Sequence, residues 1–234
     1  MLKKMLPMAF AMAFSLSAAA DEADIRKQME AKLGAKVESV SKSGYLGLYE
    51  IYADGNILYT DEKMTAFIAG GQLIEGKTMK NLTEERMRKL TAIKFSELPL
   101  ERAIKQVRGD GKRVLATFED PNCGYCKRLA KDLLKLDNVT IYTFLYPILS
   151  EDSIRKSKQI WCSADRAKAW NDWMVDGKSP SGREDCDTAA VTKNQEFGRK
   201  LNITGTPTMF FADGERIPGA IPLARIEQKL GQIK

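Results

Sequence analysis

Apolar residues at two different spacings mark the centre of the chain. Residues 113–118 form a run that suits a buried strand, and leucines recur at helical spacing from Leu129 to Leu136. Between the two patterns lie Cys123 and Cys126, in the sequence Cys-Gly-Tyr-Cys. The pattern therefore predicts a strand that ends shortly before the first cysteine and a helix whose first turn carries both.

The remainder of the C-terminal half alternates strands and helices. Residues 139–147 predict a second buried strand, and strand, helix and strand in this order imply parallel pairing with a right-handed crossover. Residues 150–175 form an inserted helical block whose tryptophans we assign to the core. A helix over 188–201, a strand begun by Pro207, a turn at Asp213–Gly214 and a closing helix from Pro222 complete the pattern.

The N-terminal half has a different organisation. A helix is predicted over residues 24–33, and Asp54–Gly55 between two apolar runs predicts a hairpin. Two further short strands are predicted at 64–68 and 72–74. A sheet of about sixty residues buries little apolar surface, and its edge strands are open to pairing with a second copy or to cover by the other domain.

A polar helix begins near Asn81 and separates the two halves. It has a cap residue and acids in the first turn, followed by an intermittent apolar stripe among many charges. The stripe fits either a semi-rigid spacer between domains or an ordinary surface helix of the C-terminal domain.

The first twenty residues have the pattern of a secretory signal. Lys3 and Lys4 precede an apolar stretch, and Ala18, Ala19 and Ala20 form a small-residue cleavage site. The alternative is a membrane anchor, but the apolar stretch is shorter than the roughly 20 residues that a spanning helix needs. The formal net charge of +6 is mild and spread along the chain, so we expect no nucleic-acid partner.

The Cys-x-x-Cys motif at the start of a helix is typical of a redox site. Unpaired N–H groups and the helix dipole favour an anion there, so Cys123 is expected to be acidic and exposed, with further help from the charges of Lys127 and Arg128. The alternatives are half of a zinc site or a structural disulfide at a turn. The chain contains no histidine and no second Cys-x-x-Cys, so a four-ligand zinc site would need an unusual spacing from Cys162 and Cys186.

A second feature lies eighty residues further on. Thr206-Pro207 precedes the apolar residues 208–211, and proline is tolerated at the first residue of a strand. A cis bond at this proline would leave the preceding backbone free to pair with an extended peptide.

With these features the chain resembles the DsbC/DsbG family of periplasmic thiol:disulfide interchange proteins. The resemblance rests on the Cys-Gly-Tyr-Cys motif, on Thr206-Pro207 at the place of the thioredoxin cis-proline loop, and on the extra pair Cys162 and Cys186. It covers nearly the whole chain after the signal. Gly124 and the extra pair favour the DsbC branch over the DsbG branch, whereas Lys127 departs from the histidine that often follows the second cysteine in DsbC-type sites.

The resemblance implies a mixed α+β and α/β fold with three parts after a signal peptide of residues 1–20. These are a small, mainly-β dimerisation domain over 21–80, a linker helix over 81–98, and a thioredoxin-like catalytic domain with an inserted helical block over 99–234. In a dimer of this type the linker would hold two active sites facing one cleft.

The resemblance also implies roles for individual residues. Cys123 is the expected nucleophile and Cys126 the resolving thiol, while Gly124, Tyr125, Thr206 and Pro207 are expected to contact substrate. Cys162 and Cys186 lack a redox motif around them, so we assign them to a structural disulfide. Two free thiols would be unusual in an oxidising compartment.

The expected activity is isomerisation or reduction of wrong disulfides in exported proteins, accompanied by chaperone activity, with no metal or organic cofactor. The implied partners are misfolded disulfide-containing substrates, a second copy of the chain and a DsbD-type membrane reductase that supplies electrons. A DsbG-like chaperone or reductase of oxidised single cysteines, and a monomeric disulfide-donating oxidase or electron carrier, are the alternatives.

Overall fold

The computed structural model describes residues 14–233, with side chains from residue 22 onward. The chain divides into two compact units, Met1–Met87 and Arg88–Lys234. Most of the predicted signal peptide, residues 1–13, lies outside the described residues, and residues 14–20 form the beginning of the first helix. No helix in the described part of the chain is long and apolar enough to cross a membrane.

The N-terminal unit consists of one helix and a four-stranded antiparallel sheet. The helix α1 (Phe14–Leu33) precedes strands β1 (Val37–Lys42), β2 (Tyr49–Ala53), β3 (Asn56–Thr60) and β4 (Phe67–Ala69), which lie side by side in chain order. Ile25 and Met29 of α1 pack with Val37, Tyr49 and Ile51 in one core. The predicted hairpin is confirmed, because Asp54 and Gly55 both have positive φ between paired strands.

The strand predictions for this unit were only partly correct. Strand β1 was missed, and the strand predicted at 64–68 is reduced to β4. The strand predicted at 72–74 does not join the sheet. The Leu73 carbonyl instead accepts a hydrogen bond from the Leu82 N–H, and the Leu73 N–H donates to the Thr83 hydroxyl. Ile74 forms an isolated β-bridge to Asn81.

The polar helix is shorter than predicted. It forms α2 (Leu82–Thr91), and the side chain of Asn81 accepts a hydrogen bond of 3.0 Å from the Glu84 N–H as its N-cap. Beyond Thr91 the chain is irregular, with 3-10 turns at Phe95–Glu97 and Leu100–Arg102. The helix therefore spans only part of the predicted linker 81–98.

The C-terminal unit is built on a mixed five-stranded sheet with helices on both faces. Its strands are β5 (Ile104–Arg108), β6 (Arg113–Glu119), β7 (Val139–Leu145), β8 (Thr208–Phe211) and β9 (Arg216–Pro218), in the spatial order β5-β7-β6-β8-β9. Its helices are α3 (Gly124–Leu133), α4 (Glu151–Trp161), α5 (Arg166–Met174), α6 (Ala189–Lys200) and α7 (Leu223–Gln232). The predicted parallel pairing of β6 with β7 is confirmed, and the other pairs are antiparallel.

The central strand β6 is buried on both faces, which explains its continuous apolar character. Leu115 packs with residues of α3 and α7, such as Leu129 and Ile226. Phe118 faces the other way and stacks on Phe144 with ring centroids 4.6 Å apart. These two layers fix the end of β6, and with it the position of the cysteine motif.

The predicted helical block is divided into α4 and α5 by a break after Trp161. Asp165 begins α5 by accepting a hydrogen bond of 2.9 Å from the Lys168 N–H. Cys162, at the end of α4, is joined to Cys186 by a disulfide bond, which ties the break to the segment before α6.

Candidate active site

Cys123 is the N-cap of helix α3. Its backbone is extended, and its sulfur accepts a hydrogen bond of 3.3 Å from the Cys126 N–H. The chain reaches this position through a turn in which the Cys123 N–H donates to the Asp120 carbonyl at 3.1 Å. The thiol of Cys123 therefore faces the unpaired N–H groups of the first helical turn, as the sequence pattern predicted.

This position strongly acidifies the thiol. The hydrogen bond with the Cys126 side chain is the main cause that lowers the pKa of Cys123 from 9.0 to about 5, against the opposing effect of burial. Hydrogen bonds with the Thr206 side chain and the N–H groups of Cys126 and Tyr125 act in the same direction. The charges of Lys127 and Arg128, which we expected to contribute, are not among these main causes.

The expectation that Cys123 is exposed was wrong. Only 6% of the residue is accessible, because it packs in a core with Cys126, Trp170 and Met174. By contrast, Gly124 and Tyr125 are exposed, and 60% of Tyr125 is accessible. The surface of the motif is therefore formed by Gly124 and Tyr125, with the Cys123 sulfur largely covered.

Cys126 is fully buried and, like Cys123, is a free thiol in the structure. Burial is the main cause that raises the pKa of Cys126 above its usual value, followed by the hydrogen bond with Cys123 and the charge of Glu119. The pKa values of the two thiols are thus shifted in opposite directions, that of Cys123 down and that of Cys126 up. Cys123 is a thiolate at neutral pH, while Cys126 keeps its proton.

A buried carboxyl group that we did not predict lies at the end of β6, before the cysteine motif. Glu119, the last residue of β6, is inaccessible to solvent, and its Oε1 accepts a hydrogen bond from the Thr117 hydroxyl. Its Oε2 has no hydrogen-bond partner among the described residues. Burial is the main cause that raises the pKa of Glu119 to about 8, with a further contribution from the charge of Cys123. A glutamate directly after a run of buried-strand residues was the signal that could have identified it.

The loop before the motif is fixed by a second buried carboxylate. Oδ2 of Asp120 accepts hydrogen bonds from the N–H groups of Ile148 and Leu149 at 2.8 and 2.9 Å. Its Oδ1 accepts from the Asn122 N–H at 2.7 Å and from the Ser153 hydroxyl at 2.8 Å. Three of these hydrogen bonds hold the loop against the segment that follows β7, and the one from Asn122 closes the loop on itself.

The proline loop lies directly against the first cysteine. The Thr206-Pro207 peptide bond is cis, and the Cys123 sulfur lies 3.3 Å from the Thr206 carbonyl oxygen. The antiparallel pairing of β8 with β6 sets this position, because it places Thr208 opposite Phe118 at the end of the sheet where the cysteine loop begins. Thr206 is half-buried and Thr204 and Gly205 are exposed, so the loop borders the open side of the site.

The predicted site residues thus form one cluster and one separate pair. Cys123, Cys126 and Thr206 are joined by the contacts described above, with Pro207 next in the chain. The disulfide of Cys162 and Cys186 closes a different loop. The described residues include no group of three or more metal-type ligands.

Comparisons with known proteins give matches to both the N-terminal and the C-terminal part of the chain. Residues 100–234 match the family model of a thioredoxin-like domain, and residues 16–84 match the N-terminal domain of disulfide bond isomerase proteins. The chain is 50% identical over 197 residues to the probable thiol:disulfide interchange protein DsbC of Bordetella pertussis, which covers 84% of this chain and 69% of the relative. It is 27% identical over 225 residues to DsbC of Escherichia coli, covering 94% and 92% of the two chains.

A solved structure shows the same likeness. The disulfide interchange protein of Neisseria gonorrhoeae is 42% identical to this chain, with a TM-score of 0.55 over 58% of this chain and 97% of the other.

Proposed function

The chain belongs to the DsbC family of thiol:disulfide interchange proteins, and we propose that it acts as an isomerase and reductase of wrong disulfides through Cys123. The observation that carries this proposal is the pairing of an acidic Cys123, pKa about 5, with a buried Cys126 that keeps its proton. Such a site has one thiolate that can attack a substrate disulfide at neutral pH and a second thiol that stays protonated until it is needed to break the mixed disulfide.

The first step is attack on a substrate disulfide. The Cys123 thiolate bonds to one substrate sulfur, the substrate S–S bond breaks, and the other substrate sulfur leaves as a thiolate that takes a proton from solvent. The product is a mixed disulfide between Cys123 and the substrate. The low pKa of Cys123 also makes it a good leaving group when this mixed disulfide is broken.

Two reactions release the substrate. In isomerisation another substrate thiolate attacks the substrate sulfur of the mixed disulfide, a new substrate disulfide forms, and Cys123 returns as a thiolate with no net redox change. In reduction Cys126 attacks the Cys123 sulfur and forms the Cys123–Cys126 disulfide. The bond between Cys123 and the substrate breaks in the same step, and the second substrate sulfur leaves as a thiolate that takes a proton, so the substrate gains two electrons overall.

Reduction requires Cys126 to lose its proton in a buried place. We assign the proton acceptor to Glu119, because its charge influences Cys126 and its pKa of about 8 lies close to working pH. Isomerisation makes no such demand, since Cys126 takes no part in it.

The substrate backbone is proposed to lie along the proline loop. Thr206 and Pro207 stand beside the attacking sulfur, and Gly124 and Tyr125 border the site from the helix side. An extended peptide that pairs with the backbone before Pro207 would present its own sulfur to Cys123.

We propose that the N-terminal domain, residues 21–80, makes the protein a homodimer. The support is the edge strand β4, all three of whose residues are exposed, including Phe67 and Ile68 at 41% and 47%. Apolar side chains on an open strand edge are suited to pairing with a second copy. Residues 81–98 would connect this unit to the catalytic domain 99–234.

The proposed place of action is the periplasm, reached by means of the signal of residues 1–20. There the Cys162–Cys186 disulfide would have a structural role in the catalytic domain. Cys123 must begin each cycle reduced, so a membrane reductase of the DsbD type is the proposed electron donor.

Exposed apolar residues near the site favour chaperone activity as a second candidate. Tyr125, Ile148 and Leu149 are 60%, 38% and 57% exposed, and the buried side chain of Asp120 holds the last two. Binding of unfolded chains at these residues predicts suppressed aggregation that survives Cys123→Ala.

The test of the main proposal is the redox state of the exported protein. Cells are quenched with acid, free thiols are alkylated, and the added mass is mapped. Alkylation of Cys123 and Cys126, with Cys162 and Cys186 unmodified, is expected. Four unmodified cysteines would mean an oxidised resting enzyme, and the role would then be that of a disulfide donor.

A further inference from the structure

The indole ring of Trp173, on α5, contacts the chain on both sides of the cysteine motif. Its Nε1–H donates a hydrogen bond of 2.6 Å to the carbonyl oxygen of Pro121, two residues before Cys123. The Nζ of Lys127, directly after Cys126, lies 4.0 Å from the centre of the same ring. The Trp173 side chain therefore contacts the chain both before the motif, at Pro121, and directly after it, at Lys127.

The ring is itself held from another direction. The Nζ of Lys156, on α4, lies 4.8 Å from the ring centre, and Lys156 is paired with Asp152. Asp152 in turn accepts a hydrogen bond of 2.8 Å from the side chain of Asn122, which directly precedes Cys123. Trp173 also packs against the core that contains both cysteines.

These contacts account for Lys127, the residue at which this chain departs from DsbC-type sites with histidine. An ammonium group over the face of an indole is attracted to the ring, most strongly where water is partly excluded. The ammonium group of Lys127 is thus held over the indole ring, where it fixes the start of α3. This agrees with the finding that Lys127 is not among the main causes of the low pKa of Cys123.

We propose that Trp173 is a positioning residue for thiol exchange, which keeps the Cys123 sulfur over the N–H groups of the first turn of α3 by holding Pro121 and Lys127 together. The consequence is chemical as well as structural. A loosened loop weakens the hydrogen bonds to the thiolate, so the reduced form loses stabilisation relative to the disulfide. This inference rests on the proposed role of Cys123 as the attacking thiol.

The chain offers a matched control in Trp161. Its Nε1–H also donates to a backbone carbonyl, that of Asp187 at 3.1 Å, and its ring also lies under a cation, that of Arg166 at 3.7 Å. It belongs to the same core, but its hydrogen bond leads away from the cysteine motif. Trp161→Phe removes the same kind of bond as Trp173→Phe without touching the loop.

The test compares the two variants in the full-length protein. The pKa of Cys123 is measured by thiolate absorbance, and the equilibrium constant for reduction of the Cys123–Cys126 disulfide is measured against glutathione. The charged groups around the motif are unchanged in both variants: Glu119, Asp120, Lys127, Arg128, Asp152 and Lys156. For Trp173→Phe we expect the pKa to rise from about 5 to about 6 and the equilibrium constant to fall about threefold to tenfold, the range of one lost hydrogen bond.

For Trp161→Phe the acid dissociation constant of Cys123 and the equilibrium constant for reduction should both stay within about twofold of the wild type, the scatter of a substitution away from the site. Equal shifts in the two variants, or no shift in Trp173→Phe, would overturn the inference. If the wild type itself fails to exchange disulfides, the proposed function fails, and this outcome is separate from any difference between the variants.

A measurement on the unmutated chain gives a second test. Protein labelled with 5-fluorotryptophan is titrated in the reduced state by fluorine NMR, with resonances assigned from the two variants. The Trp173 resonance should follow the ionisation of Cys123 with a midpoint of about 5, while the Trp161 resonance stays constant. A Trp173 resonance insensitive to both pH and disulfide formation would contradict the proposal.

Discussion

Glu119→Gln separates the two reactions proposed for the site. The substitution keeps the shape of the buried side chain but removes its ability to accept the proton of Cys126. Reduction requires Cys126 to become a nucleophile, whereas isomerisation uses Cys123 alone. We therefore expect Glu119→Gln to slow the release of reduced substrate and to leave isomerisation nearly unchanged.

The magnitude follows from the pKa of the carboxyl group. With a pKa of about 8, about one tenth of the Glu119 side chains are ionised at pH 7. A positioned general base contributes about 10²- to 10⁴-fold when it is fully ionised. The expected loss in the Cys126 step at pH 7 is therefore about tenfold to a thousandfold.

The assay is a single-turnover experiment. A mixed disulfide of Cys123 with a fluorescent thiol peptide is formed, and release of the peptide by Cys126 is followed between pH 5 and pH 9. The wild-type rate should rise with pH through an inflection at about pH 8, where half of the Glu119 side chains are ionised, and the variant should lack this inflection. Glu151→Gln, at an exposed position in the first turn of α4, is the control.

Two results would refute the reasoning. One is a release rate in Glu119→Gln within about twofold of the wild type across this pH range, since it would mean that Cys126 is deprotonated without the carboxylate. The other is an equal loss of isomerisation, which would point to general damage to the site.

Three further predictions concern the cysteines. Thiolate absorbance of the reduced protein should give a midpoint of about 5 for Cys123, so that alkylation levels off above about pH 6; a midpoint near 9 would contradict the geometry. Cys126→Ala should retain isomerisation and accumulate mixed disulfides with substrate, visible on non-reducing gels, and absence of such adducts would argue against attack by Cys123. Replacement of both Cys162 and Cys186 by serine should lower the free energy of unfolding by about 3.5 kcal/mol, measured in urea, and an unchanged midpoint would contradict a stabilising role for this bond.

The central part of the fold could be predicted from local pattern because its signals are local. An apolar run followed by helical periodicity placed the cysteines at the junction of β6 and α3, and the structure has Cys123 as the N-cap. The hairpin at Asp54–Gly55 was equally clear, because few residue pairs accept positive φ twice in succession.

The errors arose where long-range contacts override local pattern. Strand β1 alternates buried and polar positions too weakly to be recognised, and Leu73 pairs with the start of α2 instead of extending the sheet. The burial of Cys123 depends on packing against residues of α5 more than forty positions away.

The chemistry of the site was predictable only in part for the same reason. The spacing of Cys123 and Cys126 identifies them in the sequence. Glu119 and Asp120 resemble ordinary surface acids in the sequence, because only the folded structure shows that both are buried. Trp173 was assigned to the core, and its bond to Pro121 depends on how α5 docks beside the motif.

The central claim is that Cys123 rearranges wrong disulfides, and refolding of a scrambled substrate tests it most directly. A small enzyme with randomised disulfides is incubated with the reduced full-length protein, and the return of its activity is followed over time. The account predicts that the wild type and Cys126→Ala restore activity, while Cys123→Ala does not. Restoration by Cys123→Ala at the wild-type rate, or none by the reduced wild type, would contradict it.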